Sequence, residues 1–273
     1  MAESIGQFQV LSELGKGAHS TIYHIRRHKD SKQFALKVVP IIKKDHNKFR
    51  EQAEHEFRVA QILDHPNLIK IYALEYQRDW FFRVRKVHLL IEFVKGKTLD
   101  QSMKLTMPWL VQIFAKVAEG LAHMHRRGVF HADLKPNNIM LSSVGDVKII
   151  DFGLAWIKGE PKERVQGTPN FIAPEQARCK PLTEQTDVYN FAASFYWALT
   201  GHRVPTLLTV EKSDRRVVKD QDYPSPRDLR PEISQVLSDI VMRCLRLRAS
   251  DRYTDVGMVL MHIEDCYGAM RKK

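Results

Sequence analysis

The chain has 273 residues, 44% of them hydrophobic and 27% charged, enough for a sizeable core at the upper end of what one compact unit holds. Its 43 basic against 32 acidic side chains give a net charge of +11, a surface that draws anions; a soluble, solvated exterior is the simpler reading, because no zinc spacing or aromatic-basic motif points to nucleic acid. No repeat and no apolar run near the ~18 residues of a membrane span is present, Met1-Ala2-Glu3-Ser4 carries neither a signal peptide nor a myristoylation glycine, and Cys179, Cys244 and Cys266 lack metal-ligand spacing, so reduced thiols and a cytoplasmic location are expected.

Phe8 to Val39 alternates with period two between turn residues and reads as strands. The first turn carries Gly15-Lys16-Gly17-Ala18-His19-Ser20, whose glycines let backbone N–H groups approach phosphate oxygens. A GxGxxS pattern alone is more often an ordinary hairpin; its place before a lysine-bearing strand raises its value. In that strand, Phe34-Ala35-Leu36-Lys37-Val38-Val39, alternation sets Ala35 and Lys37 on one face and Phe34, Leu36 and Val38 on the other. A small side chain beside a lysine leaves room for a flat base with its phosphates alongside, although a lone strand lysine is usually a solvated charge.

Asn47 to Leu63 has helical spacing, with Phe49, Ala53, Phe57, Ala60 and Leu63 on one side. Glu56 shares that core side, whereas Glu54 falls with Arg58 and Gln61 on the wet side, so Glu56 is the expected partner of Lys37. Leu68 to Leu74 and Val87 to Phe93 read as the next strands. Between them Trp80-Phe81-Phe82-Arg83-Val84-Arg85-Lys86 is longer than a tight turn requires; a partly buried longer hairpin is the plain expectation, a docking edge for a partner the functional one. Trp109 to Arg127 is amphipathic, with Leu110, Ile113, Val117, Leu121 and Met124 forming a core stripe.

Next comes His131-Ala132-Asp133-Leu134-Lys135-Pro136-Asn137-Asn138, then Val147-Lys148-Ile149-Ile150 and Asp151-Phe152-Gly153. Asp151 and Asn138 are hard oxygen ligands suited to a magnesium that keeps waters and grips phosphate. Asp133 can orient a hydroxyl and accept its proton, and Lys135 can steady charge on a transferring phosphoryl group. Farther on, Asp187 to Leu199 is apolar nearly all round and reads as a buried helix with Asp187 at its start, where a cap is the ordinary role. Ile233 to Leu245 reads as amphipathic, with Val236, Leu237, Ile240, Val241 and Cys244 inward.

Together and in this order, the segments from about Phe8 to Ile263 resemble eukaryotic-like protein kinases, most of all the bacterial serine/threonine members. The resemblance implies an α+β bilobal protein-kinase fold over residues 1–273, with a small β-rich N-lobe containing one main helix (about 1–94) and a larger, mainly helical C-lobe (about 95–273). It implies ATP held by Gly15, Gly17, Ser20, Ile22 and Ala35, by the hinge residues Glu92 and Val94, and by Met140 under the adenine. By the same resemblance Lys37, paired with Glu56, is expected to hold the phosphates, Asn138 and Asp151 to hold Mg2+ or Mn2+, and Asp133 and Lys135 to be catalytic. Gly167-Thr168-Pro169-Asn170-Phe171 and Ala173-Pro174-Glu175 resemble the end of the family's activation segment, in whose serine/threonine members the threonine hydroxyl can bridge the residues matched here by Asp133 and Lys135. Arg252 looks like the family arginine that pairs with Glu175, and Asp187 like the aspartate that bonds the catalytic-loop backbone.

Departures from the family pattern are Ser20 for the third glycine, Ala60 for a larger side chain, Arg248-Ala249 for Asp-Pro, and Ala132 for arginine. Between Asp151 and Thr168 there is no Ser, Thr or Tyr, so both a phosphate acceptor and the arginine that a phosphate neutralises are missing. Activation without loop phosphorylation is therefore expected. A protein substrate follows from the resemblance, and Lys158, Lys162, Arg164, Arg178 and Lys180 suit an acidic one. A pseudokinase scaffold and a small-molecule phosphotransferase are the rival readings. Oligomeric state, regulator and any longer parent chain stay open.

Overall fold

The computed structural model describes residues 4–17, 19–41, 47–102, 105–160, 166–209 and 222–271, the last three by backbone alone. It is an α+β structure that divides into two compact units, each discontinuous in sequence.

The first unit takes in residues up to Asp64, Leu68–Lys95 and Asp151–Gly153. Its strands are β1 (Ser4–Ile5), β2 (Phe8–Lys16), β3 (Thr21–Arg27) and β4 (Gln33–Pro40), then, after helix α1 (Asn47–Ile62), β5 (Ile71–Arg78) and β6 (Val84–Glu92). They form one antiparallel sheet in the order β1-β2-β3-β4-β6-β5. Period-two alternation puts Leu36 and Val38 with Phe8 and Ile25 in an apolar cluster. Ile22, Lys37 and Leu89 are cross-strand neighbours, so they share the opposite face. Helix α1 buries Ala53, Glu56, Val59 and Ala60. Val59 is fully buried, while Phe57 and Leu63, both expected on the core side, are half-buried. Apart from Glu56 this face is made of two alanines and a valine, which lets the helix lie close, and the bulkier Phe57 and Leu63 sit at its margin.

Strands β5 and β6 run further than the sequence reading placed them, leaving only Asp79–Arg83 between them. The expected partial burial does not occur: Trp80, Phe81 and Phe82 are 92%, 73% and 81% exposed.

The second unit comprises His65–Asn67, Gly96–Ile150 and the chain from Leu154 onward. In order it contains β7 (Gly96–Thr98), α2 (Met107–Arg126), β8 (Val129–Phe130), β9 (Ile139–Ser142), β10 (Val147–Ile149), β11 (Trp156–Ile157), α3 (Pro174–Ala177), α4 (Glu184–Thr200), α5 (Pro226–Leu229), α6 (Gln235–Cys244) and α7 (Val256–Arg271). Strands β10-β9-β7 form one small sheet and β11-β8 another. At Gly96 a Cβ would lie 1.9 Å from the Leu141 carbonyl oxygen, so only glycine lets β7 approach β9 this closely. Asn67 explains why its segment belongs here: its side-chain amide donates to Val147 O at 2.9 Å, and its carbonyl accepts from Ile149 N at 2.8 Å.

The stripe Leu110, Ile113, Val117, Leu121 and Met124 of α2 is buried. Helix α4 begins after Thr183, so Asp187 lies inside its first turn and is fully buried; it is no exposed cap. Ser234 caps α6 by accepting from Leu237 N at 3.2 Å. Val236 is 61% exposed, not inward as the spacing suggested, because the first turn of α6 opens onto a hollow shared with Asp239, Tyr253 and His262. Helix α7 had no counterpart in the sequence reading. Among the described residues no helix is long and apolar enough to cross a membrane.

Candidate active site

In the first unit the candidate side chains Lys37, Glu56 and Asp151 gather where β4, α1 and the Asp151–Gly153 segment meet. Alternation aims Lys37 away from the apolar cluster, and its Nζ donates to Glu56 Oε2 at 2.6 Å. Glu54 instead accepts the Tyr76 hydroxyl at 2.7 Å on the outer side of α1. Burial disfavours the Lys37 ammonium, but Glu56 and Asp151 outweigh it and hold its pKa above the ordinary range. Burial, with the charge of Asp151, pushes the Glu56 carboxyl up against the pull of Lys37. Two carboxylates thus share one ammonium, and the surplus negative charge is what a divalent cation would relieve.

These groups line a hollow of about 220 Å³ together with Ser20, Gln52 and His19. Gly17 N donates to Ser20 O at 2.8 Å, closing the glycine turn, in which Ala18 lies outside the described residues. His19 stacks on Phe49 of α1 with ring centroids 3.8 Å apart. Gly15 pairs with Ile22 across β2 and β3, and Ala35 with Ile91 across β4 and β6. Glu92 ends β6, with its side chain accepting from Lys70 N at 3.1 Å, and Val94 follows outside any regular element. Asp151 itself has φ +68°, a costly conformation for a non-glycine residue, and its Oδ1 accepts from Gly153 N at 3.1 Å.

In the second unit Asp133 is the hub. Its Oδ1 accepts from Thr168 N and from Thr168 Oγ1, both at 2.7 Å, and its Oδ2 accepts from Lys135 Nζ at 2.7 Å. Lys135 also donates to Thr168 Oγ1 at 2.8 Å. Asn138 spends its amide nitrogen on Asp133 O at 3.0 Å, which leaves the amide oxygen as the atom that could face a cation. Met140 sits half-buried on β9, between Lys148 and Thr98.

The loop that carries Asp133 is fastened from below. Asp187 is fully buried and accepts from His131 N, Ala132 N and His125 Nε2, each at 2.8 Å. Burial pushes its carboxyl up, but the bond and charge of His125, the charge of His131 and the Ala132 N–H outweigh it, leaving the pKa below the ordinary range. Gln176 holds the same loop from α3: its Nε2 donates to Ala132 O at 2.7 Å and to Gln166 O at 3.2 Å. Its Oε1 accepts from Ala173 N and Asn190 Nδ2, both at 3.0 Å. Ala132, held on both sides, has φ +60°. Gln176, Asn190 and His125 were not legible as participants, because a glutamine or an asparagine on a helix carries no spacing signal of its own. The nearest clue was Ala173-Pro174-Glu175, immediately before Gln176.

A family model described as the protein kinase domain matches residues 8–263. The chain belongs to this family. Among curated protein kinases it is 25% identical to serine/threonine-protein kinase PrkC of Bacillus subtilis (strain 168), over 97% of this chain and 41% of that protein. It is 26% identical to serine/threonine-protein kinase PknD of Protochlamydia amoebophila, over 94% of this chain and 30% of that protein. With serine/threonine-protein kinase AtPK1/AtPK6 of Arabidopsis thaliana it shares 29% identity over 88% of this chain and 51% of that protein. The chain therefore spans about a third to a half of the length of these kinases.

Proposed function

We propose that this kinase domain is an active protein serine/threonine kinase, transferring the γ-phosphoryl group of ATP to protein hydroxyls with Mg2+ or Mn2+. The observation that carries the reading is the Asp133–Lys135–Thr168 network, a carboxylate hub poised beside an ammonium with a hydroxyl seated on both. Asp133 would align the substrate hydroxyl and take its proton, while Lys135 steadies the charge on the moving group. Lys37, kept charged by its two carboxylate neighbours, would hold the nucleotide phosphates beneath Gly15, Gly17 and Ser20. Ile22, Ala35, Glu92, Val94 and Met140 are assigned to the base.

A divalent cation held by this chain's side-chain oxygens would supply positive charge against that of the phosphates. Asp151 and Asn138 are its proposed ligands. A carboxylate and an amide oxygen suit a hard cation that takes one or two oxygens from the protein, and the Asn138 amide oxygen is left over once its nitrogen has bonded Asp133 O. The assignment extends the kinase domain over residues 1–273, with lobes of about 1–94 and 95–273, in a cytoplasmic setting. Exposed Lys158, Arg178 and Lys180 favour acidic protein substrates; Lys162 and Arg164 lie outside the described residues.

Incubation with labelled ATP, a basic and an acidic test protein and a panel of small alcohols separates the alternatives. Phosphoserine or phosphothreonine on protein is the expected outcome, with preference for the acidic one. Label on a small alcohol alone, or none with intact nucleotide binding, overturns the proposal. Activity is further proposed to need no phosphate in the activation segment, because residues 152–167 contain no hydroxyl and Ala132 presents no charge to neutralise. Phosphatase treatment should leave turnover unchanged; a loss traced to that segment contradicts it.

A further inference from the structure

The hairpin tip between β5 and β6 presents three consecutive aromatic side chains to solvent, Trp80, Phe81 and Phe82, each more than 70% exposed. Isolated exposed rings are ordinary; three in a row on one turn are not. Phe82 adds a second oddity. Its φ is +58°, a region in which glycine or asparagine is at ease and a bulky residue is a clear outlier. The turn thus keeps a phenylalanine where its backbone disfavours one, and that phenylalanine makes the tip more apolar without filling the core.

The turn is stiff. Asp79 Oδ1 accepts from Phe81 N at 2.9 Å and Arg83 N at 3.0 Å, and Asp79 N donates to Arg83 O at 2.9 Å. Arg85 closes on Asp79 Oδ2 at 2.8 Å and Arg78 on the Phe82 carbonyl at 2.9 Å. The one acid of the tip is thereby occupied, while Arg78, Arg83, Arg85 and Lys86 around the rings are all exposed. The result is a rigid convex wedge of rings inside a cationic collar.

We propose that this tip docks the domain onto an anionic lipid surface. The rings enter the zone between headgroups and acyl chains, where aromatic side chains are at home, and the collar meets lipid phosphates. A convex wedge needs no preformed socket in a fluid bilayer, and its collar has the sign opposite to an acidic leaflet. The net charge of the whole chain, +11 with the collar included, has the same sign. The kinase reading plays no part in this inference.

The test is co-sedimentation of the purified chain with phosphatidylcholine vesicles and with phosphatidylcholine–phosphatidylglycerol vesicles, at low and at high salt. Binding to the mixed vesicles alone, weakened by salt, is expected. Replacing Trp80, Phe81 and Phe82 by Ser, Ser and Gly should lower partitioning at least tenfold; Arg83→Gln should lower it about fivefold, the value of one cation at such a surface. Brominated lipid should quench the fluorescence of the wild type but much less that of Trp80→Phe, which keeps an aromatic at the tip. The triple variant should keep its melting temperature and its phosphotransfer in the absence of vesicles, since the rings lie outside the core and Phe81 meets only the exposed Arg83 guanidinium, 5.8 Å from its centroid. Absence of vesicle binding, or binding undiminished in the triple variant, overturns the proposal. So does wild-type self-association that the triple variant abolishes without any vesicle binding, which would make the tip a protein interface.

Discussion

At the scale of single residues, Asp133 carries the heaviest load, because three donors converge on its two oxygens. Asp133→Asn would keep the shape but could neither accept a proton nor match the Lys135 ammonium. Turnover should fall by about 2.7–4 kcal/mol in barrier, the weight of a removed electrostatic stabiliser. Steady-state kinetics check this, with KM for the nucleotide changing little. Asp187 is the second such residue. Its pKa is depressed, so its stabilising contribution is complete above the ordinary carboxylate range and vanishes as pH falls through the lowered folded value. Asp187→Asn should cost about 3–5 kcal/mol near neutrality, as the loss of one partner in a buried charged network does. The variant and the wild type should converge in melting temperature as the solution is acidified; parallel curves would contradict the assignment.

Motif residues of this kind are legible because their chemistry dictates their type. Asp133, Lys135, Asn138 and Asp151 stand out by spacing as proposed site residues, and Glu56 stands out by its helix face, which does bring it to Lys37. Gln176 does not, since an amide can bond almost anything and its partners, Ala132 O and Asn190, are remote in sequence.

At the scale of elements, the amphipathic stripe of α2 and the strands around Lys37 followed directly from periodicity. The pattern does not single out helix α7, and it sets Val236 inward although that residue faces a hollow. Periodicity gives a face but says nothing of how far the neighbouring element extends along it. The short helix α3 shows how much a small element can hold. Gln176→Ala would strand the Ala132 carbonyl and the Ala173 amide, while the Asn190 side-chain amide keeps its bond to Phe171 O, at about 1–3 kcal/mol for each group left unsatisfied. A lower melting temperature, together with faster protease cleavage near Gln166, is the expected result.

At the scale of the whole chain, the two units are interleaved in sequence, which one boundary near residue 94 could not convey. His65–Asn67 joins the later unit through β10, and Asp151–Gly153 the earlier one beside Gln52. Within the second unit Arg252 ties distant parts of the chain together. Fully buried, its guanidinium grips both oxygens of Glu175 at 2.8 and 2.9 Å. It also donates to the carbonyls of Gln185, Arg246 and Leu247. Arg252→Met should destabilise by about 3–5 kcal/mol, since Glu175 is left charged and alone. Adding Glu175→Gln should restore part of that loss, measured by urea unfolding.

One consequence lies in the chemistry of the Gln176 fastening. It joins amide to carbonyl, with no ion on either side, so dissolved electrolyte has nothing to shield. Brine that loosens the Arg27–Asp30 and Arg230–Glu232 surface pairs should leave the Gln176–Ala132 bond as firm as before, while burial keeps the Asp187 carboxylate on the other side of that loop away from the salt.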